Sequence, residues 1–140
     1  MEDQRMCGVF IKQIHDELEK QVNNELRSAD LTMAQVGALM ILKRSPQEQM
    51  TLKELEKKLH VAQSTAVGIV ARLERKGLVE CFGDMADRRI KMVRITENGR
   101  KCSQIAVQHV KQAEERLMSG LSLEEQAVLY TLLLKLCRSF

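Results

Sequence analysis

The chain of 140 residues has no tryptophan, one tyrosine and three phenylalanines, so any core it builds is filled by aliphatic side chains. No apolar run reaches the roughly 18 residues that a membrane-spanning helix needs. The first residues, Met1-Glu2-Asp3-Gln4-Arg5, lack the basic-then-apolar pattern of an export signal. A soluble cytoplasmic chain with no membrane partner is expected. The four cysteines (Cys7, Cys81, Cys102 and Cys137) show no CxxC spacing, and reduced thiols are expected. His15, His60 and His109 form no HxH or HxxxH pair, and no cysteine lies at ligand spacing, so neither a metal nor another cofactor is expected. The seven glycines are dispersed and form no phosphate-cradling loop. No Ser-His-Asp order or paired-carboxylate motif stands out, which argues against an enzyme.

What the chain does have is charge, unevenly placed. The net charge is +3, but residues 1–50 carry −2, residues 51–101 carry +5 and residues 102–140 are neutral. That is the footprint of a chain whose centre meets phosphate while its ends do something else.

Helical signals dominate. Residues 5–27 place Met6, Phe10, Ile14, Leu18, Val22 and Leu26 at steps of four, one apolar stripe on a long helix. The stripe is too long for a small core to absorb. Thr32-Met33-Ala34-Gln35 is a capping box that opens a helix carrying Val36, Leu39, Met40 and Leu42. Ser45-Pro46, with the only proline, ends it. Thr51-Leu52-Lys53-Glu54 is a second capping box opening a short helix to about Leu59, with His60-Val61 as the turn. Residues 62–76 form the next helix, closed by Gly77 where a left-handed residue is commonly needed. Thr96 starts a long helix with Ile105, Val110 and Leu117, broken at Gly120. Ser122-Leu123-Glu124-Glu125 is a third capping box, opening a leucine-rich final helix.

Between Gly77 and Thr96 the pattern changes. Val79-Glu80-Cys81-Phe82 alternates, and Ile90 to Ile95 interleave apolar and basic residues, the mark of half-buried strands. Gly83-Asp84-Met85-Ala86-Asp87-Arg88 supplies the turn. A hairpin with an apolar inner face and a cationic tip, directly after two turn-linked helices, reads as a winged helix-turn-helix. The fold class is mostly α (α+β), a single unit over residues 1–140. On the second of the two helices, Ala66, Ile69, Val70 and Leu73 share one face and should pack on Leu52, Leu55 and Leu59. Gln63, Ser64, Thr65, Val67, Gly68 and Arg72 face the other way. Short polar groups and a valine near a helix N-terminus suit base edges in the major groove, while Arg72, Arg75 and Lys76 suit phosphate. Wing residues Asp87, Arg88 and Arg89 complete the DNA-binding candidates, with double-stranded DNA as partner.

These residues resemble the MarR family of bacterial winged-helix regulators. Leu31-Thr32 with Gln35, Leu73-Glu74-Arg75-Lys76-Gly77-Leu78-Val79, and Asp87-Arg88-Arg89 followed by Val93, Ile95-Thr96 and Gly99 carry the likeness, which covers almost the whole chain. The resemblance implies a homodimer, with dimerisation helices at about 3–28 and 97–140 around a winged-helix core at about 32–96. It implies a repressor that binds a pseudo-palindromic operator and is released by a small aromatic or apolar effector. Arg89 would be the minor-groove arginine, oriented by Asp87. Two departures stand out. Val67 and Gly68 occupy positions often polar or basic in the family, and Ala62 stands where a capping residue is common.

Two other readings stay open: a winged-helix protein-interaction module without DNA binding, and a cysteine-based redox-sensing regulator. Cys7 lies roughly where the organic-peroxide-sensing branch of the family keeps its reactive cysteine. Residues Leu31 to Val36 hold none of that branch's tyrosines, however, so a buried or inert thiol is expected. Phe10, Ile14, Leu39 and Met40 either line an effector pocket or form core.

Overall fold

The computed structural model describes residues 6–140. Six helices surround a small sheet: α1 (Cys7–Leu26), α2 (Met33–Lys43), β1 (Gln49–Thr51), α3 (Leu52–Leu59), α4 (Gln63–Arg75), β2 (Val79–Gly83), β3 (Lys91–Ile95), α5 (Glu97–Met118) and α6 (Leu123–Cys137). The helix starts follow local chemistry. Thr32 and Ser122 form reciprocal capping boxes with Gln35 and Glu125. Thr51 caps α3 through the Glu54 N–H, but the Glu54 carboxylate accepts from the Thr51 hydroxyl at 3.0 Å instead of closing the second half of the box. Ala62 gives α4 no side-chain cap, as the sequence indicates. Gly77 ends that helix at φ +74°, a geometry glycine adopts without steric cost.

The strands are antiparallel in the order β1-β3-β2, with Val93 paired to Met50 on one side and Cys81 on the other. β1 is not evident in the sequence, because three residues carry no readable period; its pairing with β3 defines it. The hairpin's inner face also differs from the sequence reading. Val93 and Ile95 are buried, whereas Met92 is only partly covered and Ile90 is exposed. The interleaving breaks at Met92-Val93, and the strand keeps the side of the second residue.

One core joins α2, α3, α4 and the sheet through Val36, Leu39, Leu42, Leu55, Leu73 and Val93, each at most 1 % exposed. A second seam packs α1 on α5 through Val22, Leu26, Ala106 and Ala113. An ion pair from Glu25 to Arg116 lies beside it, with His109 Nδ1 4.0 Å from the same carboxylate. Only the C-terminal part of the α1 stripe is used: Val22 and Leu26 are buried, while Phe10 and Ile14 are 52 % and 49 % exposed. α6 has no buried residue. Among the described residues no helix is long and apolar enough to cross a membrane.

Candidate nucleic-acid interface

α4 is fixed from behind. Ala66, Ile69, Val70 and Leu73 are buried against the core, and the Glu74 carboxylate accepts the Cys81 N–H at 2.9 Å, which pins the helix to β2. That carboxylate and burial push the Cys81 thiol up to about 11, burial being the larger cause, so the sulfur stays protonated and unreactive at neutral pH. With one face fixed, Gln63, Ser64, Thr65, Val67 and Arg72 stand exposed together, and Gly68 lies among them partly covered.

Lys76 is not the free phosphate ligand the sequence suggests. Its ammonium donates to the Asp30 carbonyl and, at 3.1 Å, to Gln35 Oε1, so it ties the end of α4 to the α1–α2 corner. The charge there is carried instead by Arg27, Arg72 and Arg75, which with Lys76 line a crevice of about 600 Å³.

The wing tip is built by carboxylates. Asp84 Oδ2 accepts the N–H groups of Ala86 and Asp87 at 3.1 Å, closing the first turn after β2. The Asp84 N–H donates to the Ile90 carbonyl at 2.9 Å, closing the loop's base. Asp87 then grips Arg89 three times: Oδ1 accepts the Arg89 N–H and Nε–H, and Oδ2 accepts Nη2, all at 3.0 Å. The two-toothed carboxylate–guanidinium fork fixes the plane of the arginine. It holds the Asp87 carboxyl below its usual range, chiefly through the side-chain bond, and raises the Arg89 guanidinium. Arg88 is exposed beside it and borders a shallow hollow with Phe82 and Gly83. Arg94 is turned aside: its Nε donates to Glu80 at 2.8 Å, and its guanidinium lies 4.7 Å from the Phe82 ring centre.

Helix and wing face a common cleft of about 440 Å³, lined by Thr51, Lys53 and Glu56 of the α3 end, Gln63 of α4, and Arg89 and Lys91 of the wing. Lys53 and Lys91 were not singled out in the sequence. The excess positive charge of residues 51–101 was their signal, but charge counts do not say which lysines converge.

The other sequence candidates separate. Leu39 is fully buried in the core, Met40 borders a second cavity of about 600 Å³ between α2 and α5, and Phe10 and Ile14 stand exposed on α1. Among the described residues the four are not gathered around one cavity, because the stripe of α1 leaves the core before it reaches Ile14. The α2–α5 cavity is bounded by Lys43, Arg44 and Lys111 at the rim and by Met40, Val107 and Val110. Cys7 is exposed in the first turn of α1, so it is not the buried thiol of the two expected alternatives, and Cys137 is exposed at the end of α6.

The MarR family model matches residues 31–91, from the start of α2 into β3. Among solved structures, MepR of S. aureus in complex with DNA is 26 % identical, with a TM-score of 0.84 over 96 % of this chain and 98 % of that one. A cysteine-to-serine variant of E. coli MarR bound to operator DNA is 28 % identical, with a TM-score of 0.82 over 92 % and 91 %. BpsR of Bordetella bronchiseptica, whose DNA binding is regulated by 6-hydroxynicotinic acid, shares the fold at 24 % identity and a TM-score of 0.84, over 95 % of this chain and 94 % of that one. With a matched segment that spans the helix-turn-helix and most of the wing, and with DNA-bound structures alike over almost its whole length, the chain is similar to the MarR family of transcriptional regulators.

Proposed function

We propose that the chain acts as a homodimeric repressor that binds a pseudo-palindromic operator in double-stranded DNA and lets go when a small acid binds. The observation that carries this reading is the Asp87–Arg89 fork beside the outward face of α4. An arginine whose plane is already fixed loses little freedom on entering a narrow minor groove, where the negative potential is deepest. Gln63, Ser64, Thr65, Val67 and Arg72 are the base-edge and phosphate candidates, with Arg88 contacting backbone next to Arg89. Lys53 and Lys91 of the shared cleft extend the phosphate track.

Dimerisation is supported by what stays uncovered. Leu132, Leu133 and Leu136 of α6 and Phe10, Ile11 and Ile14 of α1 are all exposed, although residues of these kinds favour burial. A second copy would bury both helices, and two-fold symmetry would set two copies of α4 about one DNA turn apart. For the effector we infer the α2–α5 cavity, with Met40 as the one residue retained from the sequence candidates. Its apolar wall and its rim of Lys43, Arg44 and Lys111 suit a small aromatic carboxylate, a reading in keeping with the ligand of BpsR.

Selection of duplexes from a random pool by the purified chain tests the reading. An enriched inverted repeat, bound with an affinity that falls steeply as salt rises, is expected. Binding indifferent to both sequence and salt would contradict it.

A further inference from the structure

Gly68 sits near the middle of α4, where glycine is the least favourable residue after proline. The fold does not ask for it. Its backbone is not left-handed, and a Cβ built there would touch no neighbouring element. The single atom within 4 Å of that Cβ is Nη1 of Arg72, at 3.2 Å. At 100° per residue, position 68 lies about 150° from the centre of the buried face formed by Ala66, Ile69, Val70 and Leu73, on the outer side of the helix. The glycine therefore leaves a recess on the outer side of the helix, and the guanidinium one turn later lies back into it.

That guanidinium is free. Among the described residues Arg72 makes no ion pair and no side-chain hydrogen bond. The nearest acids in sequence are engaged elsewhere: Glu74 with the Cys81 N–H, Glu80 with Arg94, and Asp87 with Arg89. An arginine with five unused donors, held against a helix that faces the proposed groove, matches a paired oxygen or nitrogen acceptor. Duplex DNA supplies two such acceptors, the O6/N7 edge of guanine and the backbone phosphate.

We propose that Gly68 is a positioning residue of the recognition helix: the space left by its missing Cβ seats the Arg72 guanidinium for its contact with a guanine edge or a phosphate of the operator. This rests on the DNA-binding reading above. A methyl group at 68 would meet Nη1 at 3.2 Å, closer than most Cβ contacts, so the guanidinium would have to shift from its seat by a few tenths of an ångström.

The test is a double-mutant cycle on a duplex that the wild-type chain selects from a random pool, using Gly68→Ala, Arg72→Ala and the pair. Gly68→Ala should raise the thermal midpoint by a few degrees, since alanine is the better helix former. It should also weaken binding to the selected duplex about tenfold or more. In the Arg72→Ala background the same substitution should cost nothing further. The salt dependence separates the two acceptors. A slope of log affinity against log salt shallower by about one in Arg72→Ala identifies phosphate, and an unchanged slope with loss confined to duplexes holding one guanine identifies the base. Equal affinity of Gly68→Ala, an equal penalty with and without Arg72, or a lowered midpoint would each overturn the proposal. If the wild-type chain enriches no duplex, the DNA-binding reading falls and this one with it; enrichment with an indifferent Gly68→Ala removes this one alone.

Discussion

A guanidinium that must enter a narrow groove does so best when its plane is set before it arrives. Asp87 sets the plane of Arg89 from two residues away, and in the sequence the pairing is implied by the family resemblance. Two variants follow. Arg89→Ala should weaken binding to the selected duplex by about tenfold to a hundredfold, equivalent to roughly 1.4–2.8 kcal/mol. Asp87→Asn should keep the turn but loosen the fork, giving a smaller loss; gel-shift titrations check both. Because the Asp87 carboxyl is held below its usual range by Arg89, the fork is fully formed above about pH 4 and is lost only as pH falls through the lowered value. Affinity should therefore show no wing-dependent change between neutral pH and mild acid. At Cys81 the direction is opposite. With the thiol pushed up to about 11, alkylation near pH 8 should be at least roughly tenfold slower than for a free cysteine, as peptide mapping after iodoacetamide will show.

The elements that present these residues depend on a tight junction behind the wing. The Thr96 hydroxyl donates to the Gly77 carbonyl at 2.7 Å and accepts the Gly99 N–H at 3.0 Å, so one side chain links the end of α4 to the start of α5. Gly99 is held for space, since a Cβ there would fall on the Leu78 carbonyl oxygen. Gly99→Ala should cost about 1–3 kcal/mol or more through overpacking, and Thr96→Ala about 1 kcal/mol through the lost cap. Denaturant midpoints measure both. Helices were legible because caps and the 3.6-residue period are local. β1 and the inner face of β3 were not: three residues carry no period, and a broken alternation leaves the choice of side to the neighbouring strand and the core. The base of the cleft was equally hidden, since Lys53 and Lys91 come together only after α3 and β3 pack.

At the scale of the whole molecule, charge and apolar surface are segregated. The cationic residues crowd the helix-turn-helix and wing, while α6 carries leucines that its own chain leaves uncovered, Leu132 among them at 53 % exposed. The part of the α1 stripe that stays exposed, Phe10 and Ile14, is what the proposed dimer would cover. Beyond Met40, the walls of the α2–α5 cavity were not readable, because they come from helices more than fifty residues apart in the chain. Leu133→Asp should leave each chain folded but shift it to a single subunit and lower its affinity for an inverted repeat, with sedimentation and circular dichroism as the checks. The most direct measurement is the stoichiometry of the complex with the selected duplex by sedimentation equilibrium. Two chains on one inverted repeat, reduced to weak one-chain binding when a half-site is scrambled, is the predicted result. One chain bound with full affinity, indifferent to the second half-site, would contradict the account.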